Sequence, residues 1–169
     1  MTYLKSANPA PELDNLLFGE RLLLWGIRLW VAGYRDGENV QEILRHGFKL
    51  AGLSQVHFAL DDLMHLIATS ATEPVDIRCP KCVGTSADEH LLLGVIAAWQ
   101  EGRGKDQGTA LLSTWLPMAA VRFAQPAASA IARAMADRGL PIRSRCRRLA
   151  SSAQKSLAMY GAEISPTRH

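Results

Sequence analysis

The residues best placed to do chemistry are two cysteines in the run Arg78-Cys79-Pro80-Lys81-Cys82-Val83-Gly84. A Cys-x-x-Cys spacing lets one tight turn bring both sulfurs to a single point. Three outcomes follow: joint ligation of a metal as thiolates, a reversible disulfide, or two reduced structural thiols. Side chains that could complete a metal site flank the pair. His90 lies beyond Cys82, and His57, Asp61, Asp62 and His65 precede the pair on one helical stretch. His57 and His65 are separated by about 12 Å along a helix axis, too far to share one ion. Asp61 or Asp62 can act with His65. The expected protein is therefore a non-enzymatic interaction or regulatory module with a structural zinc site, Cys79, Cys82, His90 and His65 as ligands, which pins the surrounding loop and couples metal binding to folding.

The proline after the first cysteine and the glycine near the second, here Gly84, resemble the knuckles of zinc ribbons and rubredoxins. The resemblance is confined to this short turn. Those families supply a second Cys pair, which this chain lacks, so the remaining ligands are expected from the histidines. A thioredoxin-like centre places its pair at the start of a helix within a βαβ pattern. Here Val83-Gly84-Thr85-Ser86 separates the pair from the next helix and no such pattern surrounds it. The redox alternative is thus a reversible disulfide sensor. Cys146 stands far along the chain and reads as a lone thiol.

A second chemical feature is the cluster Arg143, Arg145, Arg147 and Arg148, which could neutralise phosphates and bind nucleic acid. A helix-turn-helix can be drawn from 131–138 and 143–153, but Pro141 in its turn and the small residues before it fit poorly. Aromatic residues for base stacking are absent nearby, Tyr160 excepted. A solvated basic end, or one docking on an acidic partner, is the simpler reading. The chain has no phosphate loop and no Gly-x-Ser-x-Gly elbow. A metal-dependent enzyme with Asp61, Asp62 or Glu89 as base stays open as an alternative, with no substrate indicated.

These residues must be positioned by helices. Over 11–34, Leu16, Leu17, Leu23, Leu24, Ile27, Val31 and Tyr34 recur at helical spacing with Glu20, Arg21, Arg28 and Arg35 between them, and Asp36-Gly37 ends the run. Trp25 and Trp30 broaden its apolar stripe and are read as packing residues. A second helix is expected over 40–51 and a third over 55–70 with Ser54 as N-cap. On the third, Val56, Leu60, Leu63 and Ile67 form the buried face and put His57, Asp61 and His65 on the opposite side. The breaker-rich 72–85 stretch, with Val75-Asp76-Ile77 as a short strand candidate, leads to Ser86-Ala87-Asp88-Glu89. That run has the form of a capping box opening a fourth helix. Beyond Gly102 the pattern predicts helix over 109–116, interruption at Pro117, a new start at Pro126 running to 138, and a last helix over 143–160. The expected fold is all-α, a compact bundle of six to seven helices with one Cys-containing loop between helices 3 and 4, forming a single domain over 11–160 between flexible ends at 1–10 and 161–169.

Composition bounds the rest. A chain of 169 residues, 48% apolar and 21% charged, is globular in type and long enough for one core. Its net charge of +3 is unevenly spread: from Ile131 onward eight Lys or Arg face two acidic residues, which leaves the preceding body mildly acidic. An odd cysteine count, no signal-peptide pattern and no apolar run long enough to span a bilayer make the expected protein a cytoplasmic one without a membrane partner. The alanine-rich C-terminal half buries little area per residue, so a protein partner or a homodimer is expected to cover it.

Overall fold

The structure is a computed structural model that describes residues 13–143. Among the described residues there are six α-helices: α1 (Phe18–Asp36), α2 (Gln41–Leu50), α3 (Val56–Ser70), α4 (Ala87–Gln100), α5 (Thr109–Leu112) and α6 (Met118–Asp137). A 3-10 turn, Leu13–Asn15, leads into α1, and a π-type turn, Gly104–Gly108, leads into α5. The loop bearing Cys79 and Cys82 lies between α3 and α4, as the sequence predicts. None of these helices is long and apolar enough to cross a membrane. The expectations for the chain ends, the 143–160 helix and Cys146 fall wholly or mainly outside the described residues.

The apolar periodicity explains where each helix lies. Leu23, Leu24, Ile27 and Trp30 of α1 are buried, as are Leu44 and Phe48 of α2 and Val56, Leu60, Leu63, Met64 and Ile67 of α3. The α4 helix is apolar nearly all round, with an unbroken buried run from Leu92 to Ala98, and it occupies the centre of the bundle. The α6 helix packs most extensively on α3 and α4. Its buried stripe is largely alanine (Ala120, Ala124, Ala127, Ala128 and Ala132), which lets the helix axes approach closely.

The sequence breaks at Pro126, but the structure does not: α6 runs straight through it. Proline removes one backbone donor and costs about 3 kcal/mol in a helix interior. Pro126 and Arg122, whose carbonyl loses that donor, both lie on the exposed side, while Ala124, Ala127 and Ala128 beside them are buried. Packing on both sides of the proline therefore overrides the local penalty. The start of α3 also differs from expectation. Its N-cap is Gln55, and no side-chain bond caps it.

Two polar side chains, the half-buried Gln100 and the buried Glu20, anchor the backbone that leaves α6. Gln100 donates to the carbonyl of Leu140 (3.1 Å) and accepts from the Ile142 amide (2.8 Å). Glu20 accepts from the amides of Leu17 (2.7 Å) and Arg143 (2.9 Å). The Gln100 bonds hold residues 140–142 on the end of α4, and Glu20 ties Arg143 to the start of α1.

Candidate functional site

The loop before α4 is built from the helix outward. Ser86 is the N-cap of α4: its hydroxyl accepts from the Glu89 amide (3.1 Å) while the Glu89 carboxylate accepts from the Ser86 amide (2.9 Å). This is the reciprocal capping box that the sequence predicts. The Ser86 hydroxyl also donates to the Asp76 carbonyl, drawing the incoming chain back across the cap. Asp88 accepts from the Asp76 amide (2.7 Å) and the Trp115 indole (3.2 Å). Replacing Ser86 by Ala removes both of its bonds. The expected loss is about 1–2 kcal/mol of unfolding free energy, read as a lower urea midpoint at an unchanged denaturant slope.

Glu89 is fully buried and its charge is met by Arg28 of α1, 2% exposed. The guanidinium grips both carboxylate oxygens, at 2.7 Å from Nε and 2.9 Å from Nη2. Two further donors go to the carbonyls of Cys82 (2.6 Å) and Gly84 (2.7 Å), and Glu89 accepts in addition from the Arg78 amide (3.0 Å). One ion pair thus holds α1, the cap of α4 and the backbone on both sides of the cysteine turn. Both charges are paired and hydrogen-bonded, the condition under which burial is tolerated.

On this platform Cys79 and Cys82 are joined as a disulfide, with Cα atoms 5.2 Å apart. The turn Pro80-Lys81 closes with a bond from the Cys82 amide to the Cys79 carbonyl (3.0 Å). Cys79 is exposed and Cys82 half-buried. An open cavity of about 520 Å³ beside the turn is lined by Arg78, Lys81, Cys82 and Val83.

The structure overturns the zinc site. Zinc requires thiolates, and sulfurs bonded to each other carry no charge to donate. Nor are the other ligands assembled: among the described residues there is no group of three or more His, Cys, Asp or Glu side chains that could hold a metal ion. Cys79 and Cys82 do come together, but with each other. His90 Nε2 lies 2.7 Å from the Thr85 hydroxyl. His65 stands edge-on to the rings of Trp30 and Tyr34 at the α1–α3 contact. Asp61 does not face solvent alone; it accepts from the Trp30 indole (2.6 Å) and the Gln41 side-chain amide Nε2 (2.5 Å). His57, expected on the polar face, is buried. A structural zinc module is thereby excluded as the reading of this loop. Of the basic cluster, Arg143 is exposed, and Arg145, Arg147 and Arg148 lie outside the described residues.

Sequence reasoning missed Arg28. It sits among Glu20, Arg21 and Arg35 between apolar residues, which reads as a solvated face. The available signal was the capping-box Glu89, whose carboxylate needs a counter-charge if its helix start is buried. The structure defines an all-α six-helix bundle whose loop between α3 and α4 carries a disulfide. No family model, curated protein or solved structure matches the chain.

Proposed function

We propose that the chain is a reversible thiol–disulfide switch, with Cys79 and Cys82 as its redox couple. The observation that carries this reading is the bonded pair itself, displayed on an exposed two-residue turn whose backbone is held from beneath by Arg28. Cys79 is the more exposed of the two cysteines and is taken as the sulfur attacked. A reductant thiolate attacks Cys79 Sγ, the Cys79–Cys82 bond breaks, and Cys82 Sγ leaves as a thiolate that takes a proton from water. A second reductant thiolate then attacks the first reductant's sulfur in the mixed disulfide, releasing Cys79 as a thiolate and leaving the two reductants joined as a disulfide. The reverse steps, with a small-molecule disulfide as oxidant, restore the pair. Arg78 and Lys81 border the same cavity as Cys82, which favours carboxylate-bearing thiols such as glutathione. Four residues separate the pair from α4, so the helix end does not activate either thiol as it does in thioredoxin-like enzymes, and a sensor fits better than an oxidoreductase.

The test is a redox titration of the full chain in glutathione buffers containing a metal chelator, quenched by alkylation and read by mass. The expected result is a two-electron transition of Cys79 and Cys82 with a midpoint above about −300 mV, the range of labile disulfides. A pair that stays reduced throughout, or that resists reduction below that potential, overturns the reading.

A further inference from the structure

The approach to the cysteine turn has two sides, and only one is used. On the inner side the Asp76 amide donates to Asp88, the Arg78 amide donates to Glu89, and the Asp76 carbonyl accepts from Ser86. The alternate residues, Val75 and Ile77, have no backbone hydrogen-bond partner among the described residues. Side chains alternate as well. Asp76 and Arg78 are exposed and paired with each other at 3.4 Å, whereas Val75 and Ile77 are half-buried and line a cavity. Both alternations have the period of an extended strand, although residues 75–77 pair in no sheet among the described residues, so they leave an open backbone edge beside that cavity.

The cavity is about 510 Å³, with Trp30 and Tyr34 of α1 and Met64 and Ile67 of α3 forming its other walls. Trp30 and Tyr34 stack with centroids 5.0 Å apart, and beyond them lies a smaller cavity of about 140 Å³ lined by Glu38 and Asp61. Both bonds to Asp61 converge on Oδ1, leaving Oδ2 available to a ligand. Glu73 stands at the rim of the larger cavity, and among the described residues no lysine or arginine lines either cavity.

We propose that this cleft docks an extended peptide segment of a partner protein. The peptide adds as a strand to the Val75–Ile77 edge, fills the larger cavity with apolar side chains and passes an arginine or lysine over Tyr34 towards Glu38 and Asp61. Main-chain bonds to an open edge supply affinity in such docking, and pockets for alternate side chains supply selectivity. The exposed ring of Tyr34, between acidic groups, suits a cation on its face. The proposal does not depend on the redox state of Cys79 and Cys82.

The full chain is titrated with a capped hexapeptide alternating valine and arginine, and with its counterpart alternating valine and glutamate, while hydrogen exchange is followed at single amides. The arginine peptide is expected to slow exchange at Val75 and Ile77 by about tenfold or more, and the glutamate peptide to leave it unchanged. The Tyr34→Ala variant is expected to weaken the effect by about fivefold without altering exchange in α4. No protection by the arginine peptide at millimolar concentration, equal protection by both peptides, or protection elsewhere with Val75 and Ile77 unaffected overturns the proposal.

Discussion

Replacing Arg28 by Met is expected to lower the unfolding free energy by about 3–5 kcal/mol, the largest loss predicted for any single side chain of the site. The figure follows from what stays behind. Glu89 would remain at zero exposure with amide donors but no counter-charge, and the carbonyls of Cys82 and Gly84 would each lose a partner. Glu89→Gln is expected to be nearly as damaging, since it strands the guanidinium instead. The double variant Arg28→Met with Glu89→Leu removes both charges and should recover much of the loss, because an apolar pair of similar volume tolerates burial. Urea denaturation of the unaltered protein, Arg28→Met, Glu89→Leu and the double variant forms a double-mutant cycle. Additive losses in that cycle would show that the two charges act independently, contrary to the geometry. Native-state exchange should also show residues 82–84 opening more readily in Arg28→Met than the centre of α4.

The second large effect is expected at Gly108. The π-type turn of Gly104–Gly108 wraps around the Trp99 indole so closely that a Cβ at either glycine would overlap the ring. Both glycines are buried, so the ring has no solvent to move into on that side. Gly108→Ala is expected to cost about 1–3 kcal/mol, at the upper end because an indole is rigid. Placed in a Trp99→Leu background, which is itself destabilised, the same substitution should cost less than half as much. Equal costs in the two backgrounds, measured by thermal or urea unfolding, would mean that the strain lies in the backbone and not against the ring.

The sequence carried most of the fold because the helix signals were strong and local. The runs around Leu23–Trp30 and Val56–Ile67 bury the apolar residues their periodicity picks out, the helix expected over 40–51 forms as α2, and the Ser86–Glu89 cap forms as written. Local signals failed where tertiary packing decided. Pro126 reads as a helix start, yet buried alanines on either side keep α6 continuous. Glu20 and Arg28 read as the solvated side of α1. They are buried because backbone from distant parts of the chain, at Arg143 and at Cys82 to Gly84, folds over that side. No periodicity in the first helix can announce a carbonyl that arrives more than fifty residues later. The candidate site was legible only as a pair of sulfurs. Whether two nearby sulfurs ligate a metal or bond to each other depends on a third and fourth ligand in space, and His65 and His90 are committed to Trp30, Tyr34 and Thr85 instead.

The cysteines are only three positions apart, and that short span sets how little the bond matters to the rest of the molecule. A crosslink stabilises a protein chiefly by restricting its unfolded chain, and a ring this small removes about 2 kcal/mol of that freedom, against nearly 5 for a ring of a hundred residues. Opening it is therefore expected to weaken the bundle by no more than that amount, without dismantling it. On the reading proposed above, covalent chemistry at the turn would run in both directions on a scaffold that stays folded.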